Sequence, residues 1–177
     1  MIPILLALAF IAILFLVFIA GQPDEFKISR SAKISALPDK IFPHINDLHK
    51  WEAWSPWAKK DPACKNSYDG SPAGTSAVFA WAGNKKVGEG RMTITESRPG
   101  DLIRIKLEFL KPFKATNMAE FTFKSQGDQT VVTWSMSGKN NFFSKAFGLF
   151  VNCDKMVGGD FEKGLATMKS VTETAQS

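Results

Sequence analysis

The sequence predicts an α+β fold, with a run of antiparallel strands packed on one long C-terminal helix and a membrane-spanning helix in front of them. Three observations predict it. Residues Ile2–Ala20 form an unbroken apolar run, the middle of the chain alternates apolar and polar residues, and apolar residues recur at helical spacing from Phe143 onward. Strands followed by a helix are typical of α+β domains. The chain beyond the apolar run has the length of one ordinary domain.

The apolar run Ile2–Ala20 contains no charged side chain. A helix of this length, at about 1.5 Å rise per residue, spans the roughly 30 Å hydrocarbon core of a bilayer. Pro3 lies in the first turn, where a missing N–H costs little. Breakers and the first charges follow at residues 21–25. We therefore predict a single transmembrane helix.

Two other structures compete with a retained anchor. A cleaved signal peptide would carry an early Lys or Arg and small residues before its cut. No Lys or Arg precedes this run, and a cut after Ala20 would put Phe18 where a small residue is required. A buried helix of a soluble protein fits an unbroken terminal apolar run poorly. The sequence favours the anchor.

The predicted organisation is an anchor over residues 1–21, a linker over 22–25, one domain over 26–172 and a tail over 173–177. Lys27, Arg30 and Lys33 follow the anchor closely, and the positive-inside rule then predicts a cytoplasmic domain on the inner (plasma) membrane.

The net charge of +5 comes mostly from lysines spread along the chain. This pattern favours a solvated surface near anionic headgroups over nucleic-acid binding, which usually shows an Arg-rich stripe. Cys64 and Cys153 form no C-x-x-C motif, so a metal or redox site is not predicted, and whether they pair stays open. The oligomeric state is not predicted.

Alternation predicts the strands, and one apolar face predicts a helix between the first and second of them. The first strand covers 26–35, and the helix opens at Leu37-Pro38 and buries Ile41, Phe42, Ile45 and Leu48. Further strands are predicted over 75–81, 87–97, 102–109, 114–123 and 130–137, the last two forming a hairpin across 126–128.

The C-terminal part of the chain is predicted to be helical. Its apolar residues follow a 3.6-residue period, with a break near Asn152 that divides a short helix from a long one. These residues are Phe143, Phe147, Phe150, Val157, Phe161, Leu165 and Met168.

No set of residues with catalytic or metal-binding spacing is found. His44 and His49 do not share a helix face, no G-x-S-x-G is present, and Gly88-x-Gly90 does not open a helix. Acids or bases that an enzyme would have to use are Glu89, Glu96, Asp160 and His49, none with an evident partner. We expect binding in place of catalysis, and no cofactor or metal.

The aromatic residues are the most informative feature. Five Trp and fifteen Phe stand against one Tyr, which is consistent with a dense core or with an apolar cavity between sheet and helix. Gly88, Gly90 and Gly158-Gly159 either leave volume or let backbones approach closely. The string Trp51-x-x-Trp54-Ser55-Pro56-Trp57 either caps the core, covers a pocket mouth or contacts headgroups.

The order of elements and several strings resemble the START-like, or SRPBCC, superfamily, and in particular bacterial polyketide cyclase/dehydrase-like proteins. The resemblance covers about residues 26–172 and is carried by residues 51–57, Asp61-Pro62, residues 134–138 and residues 154–165. It implies a helix-grip fold, in which about seven antiparallel strands curve around the C-terminal helix and enclose an apolar tunnel.

The resemblance implies binding of a hydrophobic small molecule or lipid. The alternatives are a cyclase or dehydratase and a protein-interaction module similar to Hsp90 activators. The residues predicted to line the cavity are Trp54, Trp57, Phe79, Trp81, Met92, Phe109, Phe121, Trp134, Met136, Met156 and Phe161. These side chains are almost wholly apolar, which argues against cyclase chemistry.

Overall fold

The computed structural model describes residues 2–175; Met1 of the predicted anchor and residues 176–177 of the predicted tail lie outside them. The helices are α1 (Ile2–Ala20), α2 (Pro38–Asn46), a 3-10 helix (Leu48–Ala53), α3 (Phe142–Gly148) and α4 (Cys153–Thr174). The strands are β1 (Glu25–Ile34), β2 (Lys65–Gly70), β3 (Ala77–Ala82), β4 (Glu89–Arg98), β5 (Leu102–Lys111), β6 (Ala115–Gln126) and β7 (Gln129–Lys139).

Helix α1 is apolar on every side and lies outside the core. Ile19 is its one buried residue, 3% exposed. The helix is long and apolar enough to cross a membrane, a property that signal sequences share. Residues 21–24 connect it to β1.

The seven strands form one antiparallel sheet in the order β1-β7-β6-β5-β4-β3-β2. The alternation of β5 shows why the sheet has two different faces. Ile103 and Ile105 are almost fully buried, whereas the Arg104 guanidinium lies on the other face and binds Glu96 of β4 and Glu120 of β6. One face is thus apolar and inward, and the other is an ion-paired, solvated surface.

Helix α4 packs across the inward face through Phe161, Leu165 and Met168. Its C-terminal part runs beside the end of β1, where the Glu173 carboxylate accepts a hydrogen bond of 2.7 Å from the Ser35 N–H. Helix α2 and the 3-10 helix fill the same end of the sheet with Ile41, Ile45 and Leu48. The predicted α+β helix-grip architecture is confirmed.

Two elements differ from the sequence prediction. Strand β2 was not predicted, because all six of its residues are exposed and carry no apolar alternation; it is defined by its pairing with β3. The predicted short and long helices are both present, but the period over Phe143, Phe147 and Phe150 does not mark a buried face, since these side chains are 82%, 55% and 79% exposed. The break near Asn152 lets α3 leave the path of α4, so the two helices do not share an apolar face.

Gly90 and Gly158 allow other groups to approach the backbone closely. Gly90 lies opposite Trp81 in the sheet, and a Cβ there would collide with the Trp81 ring. Gly158 likewise lies over the guanidinium of Arg30, where a Cβ would overlap it. These two glycines therefore make room for a large side chain, whereas a Cβ at Gly159 would meet nothing within 4 Å.

The replacement Gly164→Ala should lower the melting temperature of the full chain relative to Gly159→Ala. A Cβ at Gly164 would lie 2.9 Å from the Trp134 ring and 3.0 Å from Pro56, whereas a Cβ at Gly159 meets nothing within 4 Å. Ala is favoured over Gly inside a helix by about 1 kcal/mol, and overpacking costs about 1–3 kcal/mol. Thermal unfolding followed by circular dichroism measures both variants, and equal shifts would contradict tight packing at Gly164.

Candidate functional site

The strand pairing arranges the inward face of the sheet in rows of side chains. The row nearest α2 contains Phe123, Val132 and Ala32, and the next four rows form the candidate site. From the α2 end toward the end where β1 begins, which we call the anchor end, these four rows contain Ile103, Phe121, Trp134 and Arg30; then Ile94, Ile105, Ala119, Met136 and Ile28; then Phe79, Met92, Leu107, Asn117, Gly138 and Phe26; and last Trp81, Gly90, Phe109 and Ala115.

The first row is closed by an aromatic stack. The Trp134 ring lies between Phe121 of β6 and Phe161 of α4, with ring centroids 4.8 Å and 4.1 Å away and nearly parallel planes. The three tryptophans between residues 51 and 57 pack edge-on against the same indole. We call this end of the inward face the closed end, because these rings fill the space between sheet and helix.

Two of the indole N–H groups at the closed end have backbone acceptors and one does not. Trp51 donates to the Ile45 carbonyl at 2.8 Å, and Trp54 donates to the His44 carbonyl at 2.9 Å. The Trp134 indole N–H is buried and has no acceptor among the described residues. Leaving a buried donor unpaired costs about 1–3 kcal/mol, so the site tolerates a local loss of stability here.

The last row, at the anchor end, is open. Its Trp81 and Phe109 are only half-buried and its Ala115 is exposed, and Phe79 in the neighbouring row is also half-buried. The Trp81 ring packs edge-on against Phe109 with centroids 6.0 Å apart. The inward face is therefore graded: it is filled at the closed end and presents apolar, half-exposed rings at the anchor end, which we call its open end.

A salt bridge lies on the flank between α4 and residues 54–60. The Lys60 ammonium binds Asp160 at 2.7 Å and lies 5.6 Å above the Trp57 ring. A depression of about 230 Å³ adjoins it, lined by Ala53, Trp54, Ser55, Pro56, Lys59, Lys60, Asp160, Lys163 and Thr167. A larger depression, about 440 Å³, lies along the C-terminal part of α4 and includes none of the aromatic residues.

The predicted lining residues separate into groups. Trp54, Trp57, Phe121, Trp134 and Phe161 meet at the closed end. Phe79, Met92, Trp81 and Phe109 lie in the two rows nearest the anchor end, and Met136 lies between the groups.

One predicted residue lies apart from the others, and several were missed. Met156 is 55% exposed, because it is not in phase with Val157 and Phe161 on α4. Leu107, Ala115 and Arg30 belong to the inward rows without having been predicted as lining. The alternation of their strands was the available signal, but Ala115 and Arg30 are not large apolar residues.

Arg30 ties the closed row to α4. Its guanidinium, 23% exposed, binds the Glu162 carboxylate at 2.7 Å and the Asp154 carboxylate at 2.9 Å. The hydrogen bond from Arg30 lowers the pKa of Asp154 below its ordinary value. These contacts hold the N-terminal half of α4 above β1.

The candidate acids and bases are each engaged in a separate ion pair or hydrogen bond. His49 contacts Asp47 at 3.0 Å, and Glu89 binds Lys111 at 2.7 Å. Glu96 binds Arg104, and Asp160 binds Lys60. Among residues 2–175 there is no group of three His, Cys, Asp or Glu side chains that could hold a metal ion.

The two cysteines are both free thiols. Burial raises the pKa of Cys64, which disfavours the reactive thiolate at that position.

The sheet order, the long C-terminal helix and the apolar inward face define a START-like protein with the helix-grip fold. The chain belongs to the family described as polyketide cyclase / dehydrase and lipid transport, whose model matches residues 25–173. No curated protein sequence matches the chain.

Solved structures with the same fold come from several bacteria. A Staphylococcus aureus protein of unknown function, SA2116, superposes with a TM-score of 0.65 at 9% identity, over 88% of this chain and 98% of that one. Protein CV1439 from Chromobacterium violaceum superposes with a TM-score of 0.59 at 12% identity, over 86% of this chain and 99% of that one. The Aha1 dimer from Colwellia psychrerythraea superposes with a TM-score of 0.53 at 13% identity, over 77% of this chain and 90% of that one. At these identities the likeness shows the fold alone.

The replacement Arg30→Gln should lower the melting temperature at neutral pH, and this difference from the wild type should shrink at acid pH. Because the folded-state pKa of Asp154 is depressed, the Arg30–Asp154 pair stabilises the fold above the ordinary Asp pKa of about 3.9. That contribution is lost as the pH falls through the lower, folded-state value. Thermal unfolding as a function of pH measures it. A difference that stays constant through the whole acid range would show that the pair does not contribute.

Proposed function

We propose that this protein is a membrane-anchored binding protein for a hydrophobic small molecule or lipid, which it takes up at the open end of the inward face. The observation that carries the proposal is the set of half-buried rings at this end, Phe79 in the third row and Trp81 and Phe109 in the last. Apolar surface with a few polar groups is the usual lining of a small-molecule site.

Helix α1 supports the anchoring part of the proposal. A core helix of a soluble protein would be buried, yet of α1 only Ile19 is buried. The rival, a cleaved signal sequence, predicts a mature chain that lacks residues 1–20. Intact mass spectrometry of the chain purified from membranes distinguishes the two, since an anchor is retained and a signal sequence is lost.

The position of the open end supports the choice of ligand. It lies at the same end of the sheet as the start of β1, a few residues after α1. A lipid or another molecule dissolved in the bilayer would reach the rings of the last row over a short path. The family description, which includes lipid transport, agrees with such a ligand.

A cyclase or dehydratase activity is the second candidate, favoured by the family's description. Such chemistry would need an acid or base among the inward rows, where Arg30 is held by Asp154 and Glu162 on α4. Asp160, the nearest of the candidate acids to the aromatic stack, is occupied by Lys60. The geometry therefore favours binding without catalysis.

The basic residues that follow the anchor, Lys27, Arg30 and Lys33, favour an orientation in which the domain lies in the cytoplasm. A reporter fused at the C-terminus, active only in one compartment, measures it directly. Activity only outside the cytoplasm would overturn this part of the proposal.

The replacement Ala115→Glu should weaken ligand binding, whereas Thr116→Glu should not. Ala115 lies opposite Phe109 on the inward face, and Thr116 lies opposite Glu108, on the outer face of the same strand; both are exposed. A carboxylate beside an apolar ligand loses hydration, so we expect a loss of about tenfold in affinity, or roughly 1.4 kcal/mol.

The measurement is native mass spectrometry of the full chain with monooleoylglycerol, a neutral single-chain lipid. Binding of one molecule per chain that Ala115→Glu weakens and Thr116→Glu preserves supports the site. Binding that both variants weaken alike, or no binding to the wild type, would count against it.

A further inference from the structure

The strand register brings several connections to the anchor end of the sheet. Glu25, the first residue of β1, pairs with Lys139, the last residue of β7. Across the sheet, Phe109 pairs with Ala115 and Glu89 pairs with Lys111. The β3–β4 turn, the β5–β6 turn and the start of α3 therefore lie at the end where α1 joins the domain.

Helix α3 is fixed against the end of α1. The Lys145 ammonium, only 9% exposed, binds the Asp24 carboxylate at 2.6 Å and the Ala20 carbonyl at 2.9 Å. Ile19 of α1 is buried at the same level. Since α3 contacts the last turn of α1, its free side lies at the depth at which α1 would leave a bilayer.

The free side of α3 and the β5–β6 turn expose large aromatic rings. Phe113 and Phe143 are each 82% exposed, Phe150 is 79% exposed and Phe147 is 55% exposed. Phe143 and Phe147 are one helical turn apart and share a face. Several exposed phenylalanines at one end of a domain are unusual for a surface that meets only water.

Lysines accompany these rings. Lys85 and Lys86 lie in the β3–β4 turn, Lys114 in the β5–β6 turn and Lys139 at the end of β7, and all four are exposed. In the part of the chain that the structure describes, none of the four forms an ion pair, whereas Lys111 neutralises Glu89 and Lys145 neutralises Asp24. Glu25 and Asp61 are acids beside them, and the Asp61 carboxylate accepts a hydrogen bond from the Asn84 N–H in the β3–β4 turn.

We propose that these rings and lysines form a second membrane contact, in which the phenylalanines enter the headgroup region and the lysines meet anionic lipids. We call it the interfacial surface, defined by Lys85, Lys86, Phe113, Lys114, Lys139, Phe143, Phe147 and Phe150. The inference rests on the anchoring proposed above. Apolar side chains enter the interface by about 5–10 Å, and lysines near an anionic surface are attracted to its lipids.

This contact fixes the orientation of the domain. Residues 20–24 are held to the domain by Lys145 and Asn140, so the domain moves together with α1, but α1 alone would not fix its tilt above the bilayer. A contact through α3 on one side and the β5–β6 turn on the other holds the open end of the inward face against the membrane, so that ligand passes between bilayer and rings without crossing water.

The test uses the full chain in nanodiscs, with Cys64→Ser and Cys153→Ser and a single new cysteine carrying an NBD fluorophore. The positions are Phe143→Cys and Phe113→Cys in the interfacial surface, Leu8→Cys in α1, and Asp128→Cys in the β6–β7 turn at the opposite end of the sheet. The lipids are phosphatidylcholine with phosphatidylglycerol, brominated near the headgroup end of the acyl chains. Melting temperatures confirm that each labelled variant is folded.

We expect quenching at Phe143→Cys and Phe113→Cys of about twofold or more, given the shallow depth of interfacial segments, and none at Asp128→Cys. Quenching at Leu8→Cys with none at the two interfacial positions would overturn the inference and leave the anchor standing. Absence of quenching at all positions would refute the anchor itself. Blue-shifted emission without quenching, lost on dilution, would show that a second copy of the chain covers this surface and would also overturn the inference.

The lysines are tested in the same nanodiscs. Replacing Lys85, Lys86, Lys114 and Lys139 by Gln should reduce quenching at Phe143→Cys when phosphatidylglycerol is present and change it little in phosphatidylcholine alone. The control replaces Lys33, Lys40, Lys50 and Lys124 by Gln, four exposed lysines that lie nearer the other end of the sheet. Equal effects of the two sets would show that only net charge matters and would contradict a localised lysine contact.

Discussion

The flat contact between Phe161 of α4 and Trp134 of β7, with centroids 4.1 Å apart and planes 9° apart, determines how the long helix lies on the sheet. Gly164 permits it, because any side chain there would reach the same indole. Phe121 supports the ring from the sheet side, and Arg30 holds the first turns of α4 through two carboxylates. With the helix fixed at this end, the far rows of the inward face cannot be covered to the same depth.

The uneven cover has a functional consequence. The rows next to α2 are filled with rings, whereas Trp81 and Phe109 at the other end are half-exposed. The proposed ligand site and the proposed interfacial surface both lie at the anchor end. The strand register places them there, because β1 begins beside the end of β7. In the function that we propose, α1, the half-exposed rings and α3 act together to bring a bilayer-dissolved ligand to the inward face.

Sequence patterns predicted the fold because its signals are local. The alternation of β5 and the spacing of Phe161, Leu165 and Met168 each identify a buried face without knowledge of the partner element. Strand β2 gave no such signal, since a fully exposed edge strand needs no apolar period. The helical period of the C-terminal apolar residues also could not show that Phe143 and Phe147 stay exposed, because their burial depends on the path that α3 takes after β7.

The site was predictable only in part for the same reason. Alternation places Trp81 and Trp134 on one face, but it does not tell which of them the helix covers. Met156 was predicted as lining because it is a large apolar residue close to Phe161, yet its side chain is exposed. Arg30 follows the inward phase of β1, and its partners Asp154 and Glu162 lie more than a hundred residues away in the chain.

The central claim is that the open end of the inward face meets lipid from the bilayer. The most direct measurement is photo-crosslinking of the full chain in nanodiscs that contain a phospholipid with a diazirine on its acyl chain, followed by peptide mapping. The account predicts adducts on α1, on Trp81 and Phe109, and none on the outer-face residues of the same strands, such as Arg91 and Glu108. Adducts confined to α1, with none on the inward face, would contradict it.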